Sequence, residues 1–105
     1  MTVIIEVTII PLGVGVSLSY YVSEAIKALE EKGIPYKICP TATIFETNSL
    51  EEAFELVRLM VERVFSVGVP RVVLTVKADE RRDMKSPRME AKVSSVEQKL
   101  RKNGK

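Results

Sequence analysis

Histidine and tryptophan are absent from the 105 residues, and cysteine occurs once, as Cys39. Without histidine and with a single thiol, zinc, copper and haem sites lose their usual ligands, so no metal site is expected. Ser–His and Cys–His nucleophilic catalysis is excluded for the same reason. What remains is carboxylate, lysine, tyrosine and backbone chemistry, which points away from an enzyme. One cysteine forms no intrachain disulfide, in keeping with a reducing compartment. No apolar run approaches the roughly 18–20 residues of a membrane span. The apolar stretch from Thr2 to Leu12 is interrupted by Glu6 and no basic segment precedes it. A signal peptide is therefore not expected, and the cytoplasm is the simplest location.

Aromatic residues are also few, and none lies beyond Arg71. That matters because residues 80–105 carry nine Lys/Arg against four acids, a net +5, while the remainder is net −3. A basic segment can signal nucleic acid. Here no ring stands among the charges to stack on a base, so a solvated C-terminal helix is the expected reading and no nucleic-acid partner is implied. The chain has the length of one domain with one core, and its 46% hydrophobic content is that of an ordinary globular protein.

Thr2–Ile10 reads as a strand rich in β-branched residues, with purely apolar odd positions (Val3, Ile5, Val7, Ile9) and mixed even ones. Pro11 to Gly15 break it. A helix follows over Ser17–Lys32, where Val22, Ala25, Ile26 and Leu29 form an apolar stripe; Ser17 or Ser19 can cap it, and Gly33 with Pro35 stops it. Tyr36–Cys39 and Ala42–Thr47 read as short strands around Pro40-Thr41. A second helix opens at Asn48-Ser49, with Ser49 and Glu52 in capping-box spacing, and ends at Gly68 and Pro70. Arg71–Asp79 is the last strand. Residues 80–88 form a charged loop, and 89–102 a weaker C-terminal helix striped by Met89, Val93, Val96 and Leu100, with fraying expected from Asn103 to Lys105.

The arrangement helix, Gly-x-Pro stop, strand occurs twice, at Gly33-Ile34-Pro35 and Gly68-Val69-Pro70. Strand–helix–strand thus repeats, which is the split βαβ pattern. Right-handed crossovers put both helices on one side of an antiparallel sheet in the order last, first, third, second strand. The expected fold is an α/β chain of the α+β kind, a ferredoxin-like βαββαβ domain over residues 1–105 with an added C-terminal helix.

The face without helices is expected to show Glu6 and Thr8, then Thr41, Thr43 and Phe45, then Thr75, Lys77 and Asp79, joined by Ile4, Ile10, Val73 and Cys39. Such a surface suits subunit contact, ligand binding, or both. Glu6 and Lys77 lie on adjacent strands, where they form either a cross-strand ion pair or a ligand acceptor with its neighbour. The threonines are either β-formers or ligand donors. Gly13-Val14-Gly15 with Ser17 and Ser19 can cradle an anion, but lacks the third glycine of a dinucleotide fingerprint and the lysine of a P-loop. Tyr20 and Tyr21 can stack on a ring or simply pack. The carboxylates between Asp79 and Asp83 are neutralised by Arg81 and Arg82, which disfavours a divalent cation.

Taken together, several segments resemble those of one family. They are Glu6-Val7-Thr8-Ile9-Ile10-Pro11-Leu12-Gly13, the helix start Ser17-Leu18-Ser19-Tyr20-Tyr21-Val22, Thr43-Ile44-Phe45-Glu46, Gly68-Val69-Pro70-Arg71-Val72, and the tail from Asp79 through Met89 to Val96. The chain resembles, across nearly its whole length, the small thiamine-binding-type proteins of archaea, bacteria and fungi. The resemblance implies a ferredoxin-like fold, homotetramers assembled through sheets, and a non-catalytic protein that binds thiamine or its hydroxymethylpyrimidine half, with no other cofactor. Glu6, Thr8 and Thr43 are expected to recognise the aminopyrimidine from the strands, with Lys77 beside Glu6. Ser17, Ser19 and Tyr20 are expected to close the pocket from the helix start. The alternatives are an oligomeric structural or regulatory protein without a small ligand, and an acid–base enzyme using Glu6 and Lys77.

Overall fold

Seven elements follow one another in the computed structural model, which describes residues 2–85 and 87–103. They are β1 (Thr2–Leu12), α1 (Ser19–Glu31), β2 (Tyr36–Cys39), β3 (Ala42–Thr47), α2 (Leu50–Ser66), β4 (Arg71–Arg81) and α3 (Met89–Asn103). The four strands form one antiparallel sheet in the order β2-β3-β1-β4, with β1 between β3 and β4. The fold is ferredoxin-like, as the twice-repeated strand–helix–strand pattern requires.

Period-two alternation in β1 sends Val3, Ile5 and Val7 under the helices, where each is buried. They meet Ala25, Ala28 and Leu29 of α1 and Ala53, Leu56, Val57, Met60 and Val64 of α2 in a single core. Glu24 of α1 is itself mostly buried, paired with Lys27 and facing Arg63 of α2. The Lys27 ammonium holds its carboxyl below the usual range, and Arg63, which also pairs with Glu31, ties α2 to α1 by charge as well as by apolar packing.

The boundaries differ in physically informative ways. β1 runs on through Pro11 to Leu12, because β3 has ended by Val7 and a proline at a free edge loses no ladder hydrogen bond. The chain then turns at Gly13, whose φ of 83° suits glycine, with Pro70 Cγ 3.0 Å from where a Cβ would stand. Neither Ser17 nor Ser19 caps α1: Leu18 occupies the cap position, and its aliphatic side chain has no acceptor to offer. β4 extends to Arg81, so the charged connection is shorter than the expected 80–88. α3 reaches Asn103; residues 104 and 105, where fraying was expected, lie outside the described residues.

The predicted Ser49 cap of α2 is present, with the reciprocal Glu52 bond falling one residue before the cap. Ser49 Oγ accepts from the Glu52 amide at 3.1 Å, and the Glu52 carboxylate accepts from the Asn48 amide at 3.2 Å. Ser49→Ala should lower stability by about 1 kcal/mol, seen as a lower urea midpoint with unchanged slope. An unmoved midpoint would show that the cap contributes nothing.

Candidate ligand-binding cleft

A difference in strand length makes the site. β3 pairs with β1 only from Val3 to Val7, whereas β4 follows β1 all the way to Leu12. Past Val7, one main-chain edge of β1 is therefore left without a strand partner. The β2–β3 hairpin turns beside that edge at Pro40-Thr41, and the start of α1 stands across from it. Between them lies an open cleft of about 840 Å3. Ile9, Ile10, Ile38, Ala25 and Ile26 form much of its wall, and Thr8, Ser19, Ser23, Thr41 and Thr43 bring hydroxyls to it. Thr8 Oγ1 donates to the Thr41 carbonyl at 2.9 Å and so holds the hairpin turn against β1. Ser23 Oγ likewise donates to the Tyr20 carbonyl at 2.6 Å.

Of the residues singled out in the sequence, the structure brings Thr8, Ser19 and Thr43 together in this cleft. Thr43 arrives by a different route from the one expected. The register Ile5↔Phe45 and Val7↔Thr43 places Thr43 and Phe45 on the helix side of the sheet, both buried, and gives the open face Ile44 and Glu46 instead. The physical cause is that a shift of one residue exchanges the two faces of a strand. Thr41 lies in the turn. Glu6 and Lys77 are register partners on the open face, as expected, and both are exposed. Among the described residues no ion pair joins them, so the cross-strand pair is not formed. Neither lines the cleft, and neither do Ser17 and Tyr20, which stand exposed near the start of α1. Tyr20 packs edge-on against Tyr21, with ring centroids 5.2 Å apart.

A second polar constellation went unread in the sequence. Arg88, counted there among the solvated basic residues, is only 2% exposed. Its guanidinium donates to Asp79 Oδ2 (3.1 Å) and to the carbonyl of Asp79 (2.7 Å), and reaches toward that of Thr2 at 3.5 Å. The Glu46 carboxylate accepts the amides of Arg88 (2.6 Å) and Met89 (2.9 Å), capping α3. These groups anchor the first turn of α3. A smaller hollow of about 340 Å3 lies beside that turn, but Glu46, Glu52 and the Lys37–Glu90 pair on its wall are already engaged with one another or with main chain. The larger cleft is the roomier of the two and brings hydroxyls from three elements.

Comparison with known proteins bears on that cleft. The family model described as thiamine-binding protein matches residues 5–97. This chain belongs to the thiamine-binding protein family. A UPF0045 protein of Methanothermobacter thermautotrophicus is 40% identical over 96 residues, spanning 90% of this chain and 96% of the relative. The crystal structure of MJ1052 from Methanocaldococcus jannaschii superposes with a TM-score of 0.79 at 33% identity, covering 90% of this chain and 95% of that one. A Thermotoga maritima protein, named as a candidate for thiamine biosynthesis or salvage, shares the fold at a TM-score of 0.73 and 18% identity, covering 90% and 99%.

The matched span of this thiamine-binding family member includes every residue that lines the cleft, from Val7 to Met60. Family membership points to a small-ligand-binding role. No helix among the described residues is long and apolar enough to cross a membrane.

Proposed function

We propose that the protein binds thiamine or its hydroxymethylpyrimidine half, without chemistry of its own, in the cleft between β1, the β2–β3 hairpin and the start of α1, and that it does so as a homo-oligomer. The observation that carries the reading is the cleft itself. Its volume of about 840 Å3 is in the range of small-molecule sites, its walls are mostly aliphatic, and its few polar groups converge from three elements. An aminopyrimidine presents ring acceptors and an exocyclic donor along one edge. The free edge of β1 offers main-chain donors and acceptors in the matching style, and Ser19, Thr41 and Thr43 add hydroxyls. Glu6, Lys77, Ser17 and Tyr20 enter this reading only in an assembly where a second copy carries them to the cleft.

Self-association is supported by surface left without a partner. β4 is an edge strand of 11 residues, Ile10 and Val73 are 37% and 40% exposed on the open face, and α3 exposes Val93, Val96 and Leu100. The same surface favours the second reading, an interaction protein that takes no small ligand.

Thermal unfolding with thiamine and with hydroxymethylpyrimidine tests the two. Binding raises Tm progressively with ligand concentration, by mass action, and native mass spectrometry gives the number of ligands per oligomer. A Tm unmoved by millimolar ligand, with a clean oligomer of unchanged mass, would leave only the interaction reading.

A further inference from the structure

α3 is a helix with little support from its own chain. Every residue from Glu90 to Lys102 is exposed. Val93, Val96 and Leu100 recur at i, i+3 and i+7 and form an apolar stripe that is 43%, 58% and 64% exposed. A helix of 15 residues standing by itself is marginal in water. Only its base is held, by Arg88 against Asp79 and by the Glu46 carboxylate on the Arg88 and Met89 amides. The molecule is correspondingly drawn out. Its radius of gyration is 15.5 Å, where a compact chain of this length has about 13 Å.

The charge of α3 says what its partner must offer. The helix carries four bases (Lys92, Lys99, Arg101, Lys102) against the acids Glu90 and Glu97. The opposite balance stands on α2, with four acids (Glu51, Glu52, Glu55, Glu62) against Arg58 and Arg63, and Arg63 turns to Glu31 of α1. α2 also exposes a stripe of its own. Phe54 and Phe65 are 47% and 41% exposed, with half-buried Val61 between them. At about 100° per residue, Glu51, Glu55 and Glu62 gather on one flank of that stripe, as Lys92 and Lys99 do beside Val93 and Leu100. Within one chain the two stripes do not meet. Glu46 and Asp79, which hold the base of α3, lie on the open face of the sheet, while α2 covers the other.

We infer that α3 is an exchanged arm. It seats its apolar stripe along the outer flank of α2 in a second copy, with Lys92 and Lys99 beside Glu55 and Glu62, and its own α2 receives the same contact in return. Reciprocity closes the pair and doubles the contact. This rests on the self-association reading above and names the surfaces that meet.

Sedimentation velocity of the full chain over a range of concentrations tests the inference. Leu100→Glu and Phe54→Glu each place a carboxylate where the single chain already exposes the side chain, so both variants should fold. Each should weaken association about a hundredfold, because the apolar contact is lost twice per pair. Lys99→Glu and Glu62→Lys should each weaken it about tenfold, and the double variant should recover wild-type association. Dissociation by Leu100→Glu but not by Phe54→Glu would overturn the inference, since α3 would then seat on another surface such as the open sheet face. Indifference to both would overturn it as well, and leave self-association to the sheet. A double charge variant weaker than either single one would remove the pairing of the two flanks and with it the inference. A wild-type chain that is monomeric throughout would remove the self-association reading too.

Discussion

Arg88→Ala should cost about 3 kcal/mol of folding stability, a large share of what a domain of this size has. The side chain is almost completely buried, and its removal leaves the Asp79 and Thr2 carbonyls without the donor that faces them. Against this, the Arg88 Nε is itself buried without a partner, a penalty already present in the native state that the substitution relieves. Asp79 is 41% exposed and keeps Lys92, so most of the loss comes from the two carbonyls left without a donor and from lost packing rather than from an uncompensated charge. Lysine should not rescue: one ammonium does not reproduce the planar fork that meets a carboxylate and two carbonyls together. Urea unfolding of the alanine and lysine variants checks both statements, and a wild-type-like lysine variant would sink the second.

The same contact has a pH signature with a definite sign. Arg88 foremost, and then Lys92, hold the Asp79 carboxyl below its ordinary value of 3.8. A lowered folded-state pKa means that the stabilisation is fully present above the unfolded value and is lost as pH falls through the folded one. The stability gap between wild type and Arg88→Ala should therefore narrow in acid below 3.8 and be constant around neutrality. A gap of the same size in acid would show that packing and main-chain hydrogen bonds, not the ion pair, account for the loss.

Phe45→Ala should cost about 3–5 kcal/mol, the range for deleting a buried aromatic side chain. Phe45 is fully enclosed, paired in register with Ile5 on β1 and Tyr36 on β2, beneath the helices. The penalty is the lost burial plus a cavity that the surrounding aliphatic side chains fill only in part. Had Phe45 stood on the open face, as the sequence reading expects, truncation would cost little. Chemical denaturation of this one variant thus tests the register of β3, and a loss below about 1 kcal/mol would refute it.

Phe45, expected on the open face and found buried beneath the helices, shows where sequence reading ended. In Ala42–Thr47 the odd positions are Thr, Phe, Thr and the even ones Ala, Ile, Glu, so each face carries one large apolar residue and neither declares itself buried. Nothing local settles such a strand; the pairing with β1 does. Arg88 is a sharper case. Composition places an arginine in a charged tail at the surface, but here Asp79, the Thr2 carbonyl and the Glu46 carboxylate converge on residues 88 and 89 from 9 to 86 positions away in sequence. The one local hint, a proline at position 87 just before a helical stripe, marks a helix start and says nothing of burial.

What the residues determined by themselves is the order and type of the elements, because those rest on short-range physics. The β-branched alternation of β1, the i, i+3, i+4 stripe of α1, the Ser49–Glu52 box and the paired Gly-x-Pro stops act over a few residues, and together they imply the ferredoxin-like topology. What only the tertiary structure decided depends on how far strands run beside one another. β1 is 11 residues long and β3 is 6, and from that mismatch come a free edge, a cleft and the gathering of Thr8, Ser19 and Thr43 around it. Strand length in isolation is visible in a sequence. The place where a neighbour stops is a property of long-range register, set by which side chains pack best across the whole sheet, and it is there that this protein's site is made.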